Sequence, residues 1–486
     1  MAKGTSYNHG DHIDPTDIAG INERAFGWAA GHETIHPVPI DELTIADDAI
    51  DTLVEAVRSR ASGGVTMMVV DRTPMRRGGD DLKLLIEETL RRAVPLTVRR
   101  LPDQPGAPFH AELETARQLA DELAGYGAVI SVGSGSITDT VKYARHLSVQ
   151  EARRKLPFVS FPTAASVTAY TSALAALTIA GVKRTLPASP PNAVICDSRT
   201  LNDAPRIMTQ AGFGDVLARG VSYADWYLAS QIGMDNTFSQ VPSRLLETAE
   251  HEMIARAEGV AAGDRDALRA VTEAVLLAGM AMSLIGQTAP LSGWEHALGH
   301  FLDLSAAHDG RKPAVHGGQV GVGTLISARA YERAWNELDL KRLTVDQDDG
   351  VYREAIEGAC RRYDTRGTLI AEIWRDFERK LTRWRAAGSA RRAFAERHRT
   401  GELDESLRQV LLPAAQINDA LRRAGAPRRF ADLNEPIRRS SAHAAVRYAH
   451  LTRSRFTLGD LLSETGWLNE ARVPQLLDEP AEGPTV

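Results

Sequence analysis

Only two cysteines, Cys196 and Cys360, occur in 486 residues, so a disulfide framework and a cysteine-built metal cluster are both excluded, and a reducing compartment fits the count. No sign of charge dominates. A net charge of −6 and a pI near 6.2 give no field that would draw the molecule onto nucleic acid or anionic lipid, and neither is expected as a partner. Long apolar runs are missing too: "AVLLAGMAMSLIG", Ala274 to Gly286, falls short of the roughly 20 residues that span a bilayer and reads as a buried helix. The opening "MAKGTSYNHGDHIDPTDIAG" lacks the apolar core of a signal peptide, so a cytoplasmic protein without membrane insertion is expected. The length exceeds one ordinary core, which predicts two domains.

Residues 1–36 read as a polar extension; His9, His12, His32 and His36 fall in it with no repeated ligand spacing, so they make no metal tract. From 37 to 203 apolar runs alternate with amphipathic segments. "GVTMMVVD", "VPLTVRRL", "GAVISV", "PFVSFPT" and the end of "TLPASPPNAVICD" read as strands; "DDLKLLIEETLRRA", "AELETARQLADELAGY" and "TDTVKYARHL" read as helices. The alternation predicts an α/β, Rossmann-like domain with a parallel sheet covered on both faces. From 204 to 486 nearly every segment reads as helix, including "TQAGFGDVLARGVSYADWYLAS" and "RSRFTLGDLLSETGWL", so an all-α domain follows. The basic stretch "RWRAAGSARRAFAERHR", Arg383 to Arg399, has acidic flanks and reads as a solvated helical face.

"GAVISVGSGSITDTVKY" runs from a strand through Gly133 and Gly135 into a helix with Asp139 in its first turn. Glycines there let the backbone approach a pyrophosphate, which the unpaired N–H groups of the helix start attract. Thr138 stands in the third glycine's place, so a plain tight turn and a nucleotide site weigh equally. Asp71 ends an earlier strand, where an acid accepts hydrogen bonds from an adenosine ribose and repels a 2′-phosphate; an N-cap or surface acid is the alternative, and Arg72, Arg76 and Arg77 leave NAD and NADP both open.

In the helical half, "SGWEHALGHFLDL" sets His296 and His300 one turn apart. At 100° per residue Trp294, Leu298, Phe301 and Leu302 fall on one side, while His296, His300 and Asp303 gather on the other. An H-x-x-x-H pair alone is commonly solvated or structural. His316 of "KPAVHGGQVGVGTL" changes the balance, because an imidazole between apolar residues and a glycine pair has no cheap packing explanation. With Asp215 of "AGFGDVLARG" as a further candidate, two imidazoles and one carboxylate would leave open positions on a divalent ion, as a catalytic site requires.

Taken together, "SGWEHALGH", "VHGGQVGVGTL", "GSGSITDTVKY", "FPTAAS" and "GFGDVLARGVSYADW" resemble the iron-containing alcohol dehydrogenase superfamily, and within it the sn-glycerol-1-phosphate dehydrogenase branch, from about Ile35 to Leu468. The resemblance implies a dehydroquinate synthase-like fold and a metal-dependent, NAD- or NADP-linked dehydrogenase acting on a small carbonyl compound or its alcohol, phosphorylated or not. It also implies a homo-oligomer. One divalent ion (zinc, iron or nickel) would be held by Asp215, His296 and His316, with His300 beside it as a residue that supports the ligands or relays a proton. Gly133, Gly135, Ser136 and Asp139 would lie against the dinucleotide, Thr163 and Ser166 towards its nicotinamide, and Lys142 matches the family's helix lysine.

Some residues depart from that pattern. Where the branch resembles "SMDGYAS" this chain reads "SVTAYTS", so Thr168 replaces an acid; in "TAPLSGWEH" Ala289 stands for an arginine and Trp294 for a small residue; Arg219 stands for a lysine. A less polar, reshaped substrate pocket formed by Thr168, Ala289 and Trp294 is the expectation. Two other readings remain open: a carbon–oxygen lyase of the dehydroquinate synthase type, which recycles its hydride, and a nucleotide-binding regulatory protein that has lost turnover.

Overall fold

Six parallel strands form the first half of the protein, and the four inner ones are buried on both faces. The six are β1 (Glu42–Ala46), β2 (Thr66–Asp71), β5 (Leu96–Leu101), β6 (Ala128–Gly133), β7 (Phe158–Pro162) and β10 (Ala193–Asp197), in the order β1-β10-β7-β6-β2-β5. A short antiparallel ladder, β3 (Arg76–Arg77) with β4 (Asp80–Asp81), and a hairpin, β8 (Leu174–Ile179) with β9 (Val182–Pro187), stand apart from this sheet. The computed structural model describes residues 12–31, 33–102, 109–152, 155–365 and 367–478; His9 and His32 lie outside them.

Alternate residues of one strand enter different cores. Met68 and Val70 of β2 pack with Leu53, Val57, Ile86 and Leu90 from the helices Ile50–Arg60 and Leu82–Arg91. Met67 and Val69 pack with Leu119, Ile137 and Val141 from Leu113–Glu122 and Gly135–Ala152 on the opposite face. Each such buried side chain contributes about 2 kcal/mol, which is why these strands read as continuous apolar runs. The chain leaves β2 for β5 on one side and then enters β6 on the other. The switch point therefore lies between β2 and β6, and a ligand crevice opens at their carboxyl ends.

After β10 the described chain is helical. The stretch expected to form one helix around Asp215 is two, Arg206–Leu217 and Arg219–Gln231. The segment "RSRFTLGDLLSETGWL" is helical only over Leu458–Glu464. Arg265–Ile285 is long and apolar enough to cross a membrane, but 94% of its apolar window is buried inside the protein.

The polar-extension reading needs correction from residue 12 onwards. Ile18–Trp28 is a helix whose Ile18, Ile21 and Ala25 enter the core with Leu245 and Met253. Their i, i+3, i+7 spacing is an amphipathic stripe that the surrounding polar residues mask. His12 sits between Glu252 and Glu273, and the backbone N–H of His36 donates to the Leu284 carbonyl.

Candidate active site

Three helices meet where the sequence places its glycines. A Cβ on Gly214 would lie 2.4 Å from the carbonyl oxygen of Gly317, and one on Gly317 would lie 1.9 Å from that of Ala211. Glycine at both positions lets Arg206–Leu217 and His316–Ala334 touch backbone to backbone, and this contact sets Asp215 beside His316. Gly323 does the same against Glu295 of Trp294–His308, where a Cβ would lie 2.7 Å from the Glu295 carbonyl oxygen. Asp215, His296 and His316 therefore converge, one from each helix, each offering a ligand atom within 4.8 Å of the others. His296 Nε2 is 3.4 Å and His316 Nε2 3.9 Å from Asp215 Oδ1.

The helix Trp294–His308 is fixed by its dry face. Trp294, Leu298, Phe301 and Leu302 are buried in the helical core, while His296, His300 and Asp303 line a cavity of about 830 Å³. Gly293 precedes the helix because two carboxylates crowd it: a Cβ there would lie 2.6 Å from Asp225 Oδ2 and 2.9 Å from Glu295 Oε2. Asp225 Oδ2 accepts from the Trp294 N–H at 2.8 Å, and Glu295 Oε1 accepts from the Gly293 N–H at 2.6 Å. Burial and the neighbouring Glu295 charge push the Asp225 carboxyl well above the usual range.

Glu295 Oε1 also lies 2.9 Å from His296 Nδ1. A carboxylate there selects the Nδ1–H tautomer and leaves the Nε2 lone pair facing Asp215. Burial disfavours charge on His296, yet the facing carboxylates of Asp215 and Glu295 outweigh it and hold the ring up at about 9. The two carboxylates make this a place for positive charge, and an ion there would take the place of the Nε2 proton, leaving the neutral tautomer as ligand. His316 is pulled well below its ordinary value by burial first and then by Lys183, so the ring is neutral and one nitrogen keeps its lone pair. Asp215 Oδ1 is buried with no hydrogen-bond partner. One carboxylate and two imidazoles, with an orphaned buried oxygen among them, fit a single divalent cation.

His300 stacks on His316, ring centroids 5.5 Å apart with planes 10° from parallel. Its Nδ1 accepts a hydrogen bond from Arg453 Nη1 at 2.8 Å. A guanidinium only donates, so Nδ1 carries the lone pair and Nε2 the proton. Burial and Arg453 together hold the ring's pKa well below its ordinary value.

Across the cavity stands the turn after β6. Ser134, Gly135 and Ser136 line it where Gly135–Ala152 begins, so the unpaired N–H groups of the first helical turn face the space. Gly135 is required there, since a Cβ would lie 2.5 Å from Val167 Cγ2. Asp139 lines the cavity with its carboxylate engaged, 2.8 Å from Lys142 Nζ and accepting from the Ala176 N–H at 3.1 Å. Lys142 is fully buried and also donates to the carbonyls of Ala169 at 2.6 Å and Ser172 at 3.1 Å, which pins the Val167–Ser172 loop. Ser166 and Thr168 on or beside that loop also line the cavity.

Five expected site residues lie off the cavity wall. Gly133 packs on Ile137, and Thr163 is buried with its hydroxyl unpartnered. Asp71 closes β2 with its carboxylate on Lys83 and on the Thr73 hydroxyl. Ala289 and Trp294, expected in the substrate pocket, are core residues: Ala289 packs with Tyr223, Trp226 and Ile285, and Trp294 is on the dry helix face. Arg219 turns away to a buried ion pair with Glu250. Of the substitutions read as reshaping the pocket, Thr168 alone faces it. Sequence reasoning passed over Glu295, although it adjoins His296, and also Lys183 and Arg453, whose neighbours around the site come from distant parts of the chain.

The iron-containing alcohol dehydrogenase family model matches residues 44–205. The glycerol-1-phosphate dehydrogenase, NAD(P)+, of Bacillus licheniformis is 30% identical over 315 residues, covering 65% of this chain and 76% of that one. The enzyme of the same name from Thermococcus kodakarensis is 33% identical over 304 residues, covering 62% and 81%. The crystal structure of an iron-containing alcohol dehydrogenase from Corynebacterium glutamicum shares the fold at TM-score 0.53 and 15% identity, covering 93% of this chain and 98% of that one. With a sheet, a glycine turn and a three-helix ligand cluster arranged as described, the chain belongs to the iron-containing alcohol dehydrogenase superfamily of NAD(P)-dependent dehydrogenases, in its glycerol-1-phosphate dehydrogenase branch.

Proposed function

We propose that the protein interconverts a small carbonyl compound and its alcohol with NAD or NADP, using one divalent metal ion held by Asp215, His296 and His316. The observation that carries this reading is the convergence of those three donors within 4.8 Å on the wall of a cavity whose other wall is the Gly135 helix start. When bound, the ion supplies a Lewis acid to the substrate oxygen, and the dinucleotide supplies or takes the hydride.

The chain's own residues do the rest. Glu295 holds His296 in the tautomer that presents Nε2. The first turn of Gly135–Ala152 receives the pyrophosphate, and Val167 packs closely over it. His300, with Nδ1 occupied by Arg453, donates from Nε2 and orients an oxygen in the cavity, the supporting one of the two roles that the resemblance implies. Both described cysteines are buried and unpaired, which supports work in a reducing, cytoplasmic compartment.

The test is consumption of NADH and NADPH by the metal-loaded protein against dihydroxyacetone phosphate, dihydroxyacetone and simple aldehydes. Net oxidation of either cofactor is expected. Turnover of a phosphorylated sugar acid with no net change in cofactor would favour the lyase, and metal binding with no redox turnover would favour a regulatory protein.

A further inference from the structure

Lys183 on β9 reaches into the cavity from the hairpin, and Asp303 reaches in from the Trp294–His308 helix, on the same face as His296 and His300. Lys183 Nζ is 3.8 Å from Asp303 Oδ2, too far for a hydrogen bond, and both side chains keep part of their surface open, 29% and 22%. Asp303 is held in place, since its Oδ1 accepts from Gln319 Nε2 at 2.8 Å. Among the described residues, neither Lys183 Nζ nor Asp303 Oδ2 has a hydrogen-bond partner.

A buried-side ammonium and carboxylate that stop short of each other leave a donor and an acceptor facing one gap. A hydroxyl oxygen placed at ordinary hydrogen-bond distance from both closes that triangle: it accepts from Nζ and donates to Oδ2. An anionic oxygen would satisfy Lys183 but meet repulsion from Asp303. Asp303 follows His296 by two helical turns, ~10 Å along the axis, so the gap lies further along the cavity than that ligand, on the side of His316 where the Lys183 charge is felt. The cavity continues past it to Tyr363, Thr365 and Thr368, so its size does not confine the occupant to three carbons.

We infer that Lys183 and Asp303 form a substrate-binding pair that recognises a hydroxyl at the end of the substrate remote from the carbonyl, which makes the preferred substrate a polyhydroxylated carbonyl compound longer than a triose. This rests on the dehydrogenase reading above. It also accounts for the missing acid at position 168: the hydroxyl-binding carboxylate comes from the opposite wall, together with a cation.

Erythrulose and 1-hydroxy-2-butanone test it, being four-carbon ketones of which only the first has hydroxyls beyond the carbonyl. The metal-loaded wild type should favour erythrulose in kcat/KM by about ten- to hundredfold, as a site built to bond a hydroxyl discriminates against its absence. Asp303→Asn and Lys183→Met should bring the ratio towards one with the KM for the dinucleotide unchanged, and Lys183→Arg should keep most of it. These readouts separate recognition from a mere tether between hairpin and helix. A wild type with no preference, or variants that retain it, would overturn the pair. Calorimetric binding of erythritol against 1,2-butanediol needs no turnover: weaker erythritol binding in both Asp303→Asn and Lys183→Met supports the pair even if no ketone is reduced, and equal binding in all forms overturns it while leaving dehydrogenase activity intact.

Discussion

Arg453 donates to Nδ1 of His300 at 2.8 Å, although 153 residues separate them in the chain. The same Nη1 donates to the Lys183 carbonyl at 3.3 Å, so one guanidinium fixes both the imidazole's tautomer and the strand that carries Lys183. Removing it frees Nδ1 to take a proton and lets the ring rotate. Arg453→Met should lower kcat by about ten- to hundredfold, the usual cost of losing an orienting partner behind a reacting group. The KM for the dinucleotide should stay constant. Steady-state kinetics decide: an unchanged kcat, or an equal loss confined to dinucleotide KM, would contradict the orienting role.

Gly317→Ala tests the idea that backbone contact between helices builds the ligand cluster. The added methyl would lie 1.9 Å from the Ala211 carbonyl oxygen and 2.5 Å from its carbon, neither of which is a flexible side-chain end. The helices must separate, at a cost of about 1–3 kcal/mol. Asp215 then moves from His316. Thermal unfolding and metal analysis of the same sample should show a lower Tm and a lower metal content together; a destabilised protein that keeps its metal would separate the two effects.

Asp197 ends β10 without a trace of exposure and gathers four donors: Arg77 Nε and Nη2 at 3.0 Å each, and the N–H groups of Ala49 and Thr200 at 2.7 Å each. Burial alone would raise its pKa, but Arg77 and the two backbone N–H groups outweigh it and hold the carboxyl below its ordinary range. A carboxylate depressed in the folded state stabilises the protein fully above its unfolded pKa, near 4, and the contribution disappears as pH falls through the depressed value. Asp197→Asn should therefore cost about 3 kcal/mol at neutral pH and shrink that difference in acid. Denaturant titrations at several pH values check the sign; a deficit that grows as pH falls would contradict it.

How far the site could be read in advance depended on what each feature looks like along the chain. The polar stripe of His296, His300 and Asp303 was legible because helical periodicity is local, and the β6 turn because glycines mark it. The hairpin bearing Lys183 was not. Its two turn residues, Ala180 and Gly181, have φ of 50° and 83°, and alanine lacks the Asn–Gly signature such turns normally show. β1 escaped notice as well, since Leu43 is the one buried residue in this edge strand. The resemblance placed Ala289 and Trp294 in the pocket; their neighbours Thr288 and Ser292 do line it, whereas the 3-10 turn and helix start point the side chains of Ala289 and Trp294 into the core. Arg453 acts through partners that only folding brings near, and Glu295, though next to His296 in the chain, shows its role only in the contact with that ring's Nδ1.

Elemental analysis of purified protein, wild type beside His296→Ala and His316→Ala, reads the convergence of the three helices most directly. One divalent ion per chain in the wild type, and its loss from both variants with circular dichroism and Tm retained, is the result expected. Full metal content in both variants would place the ion elsewhere and contradict the account.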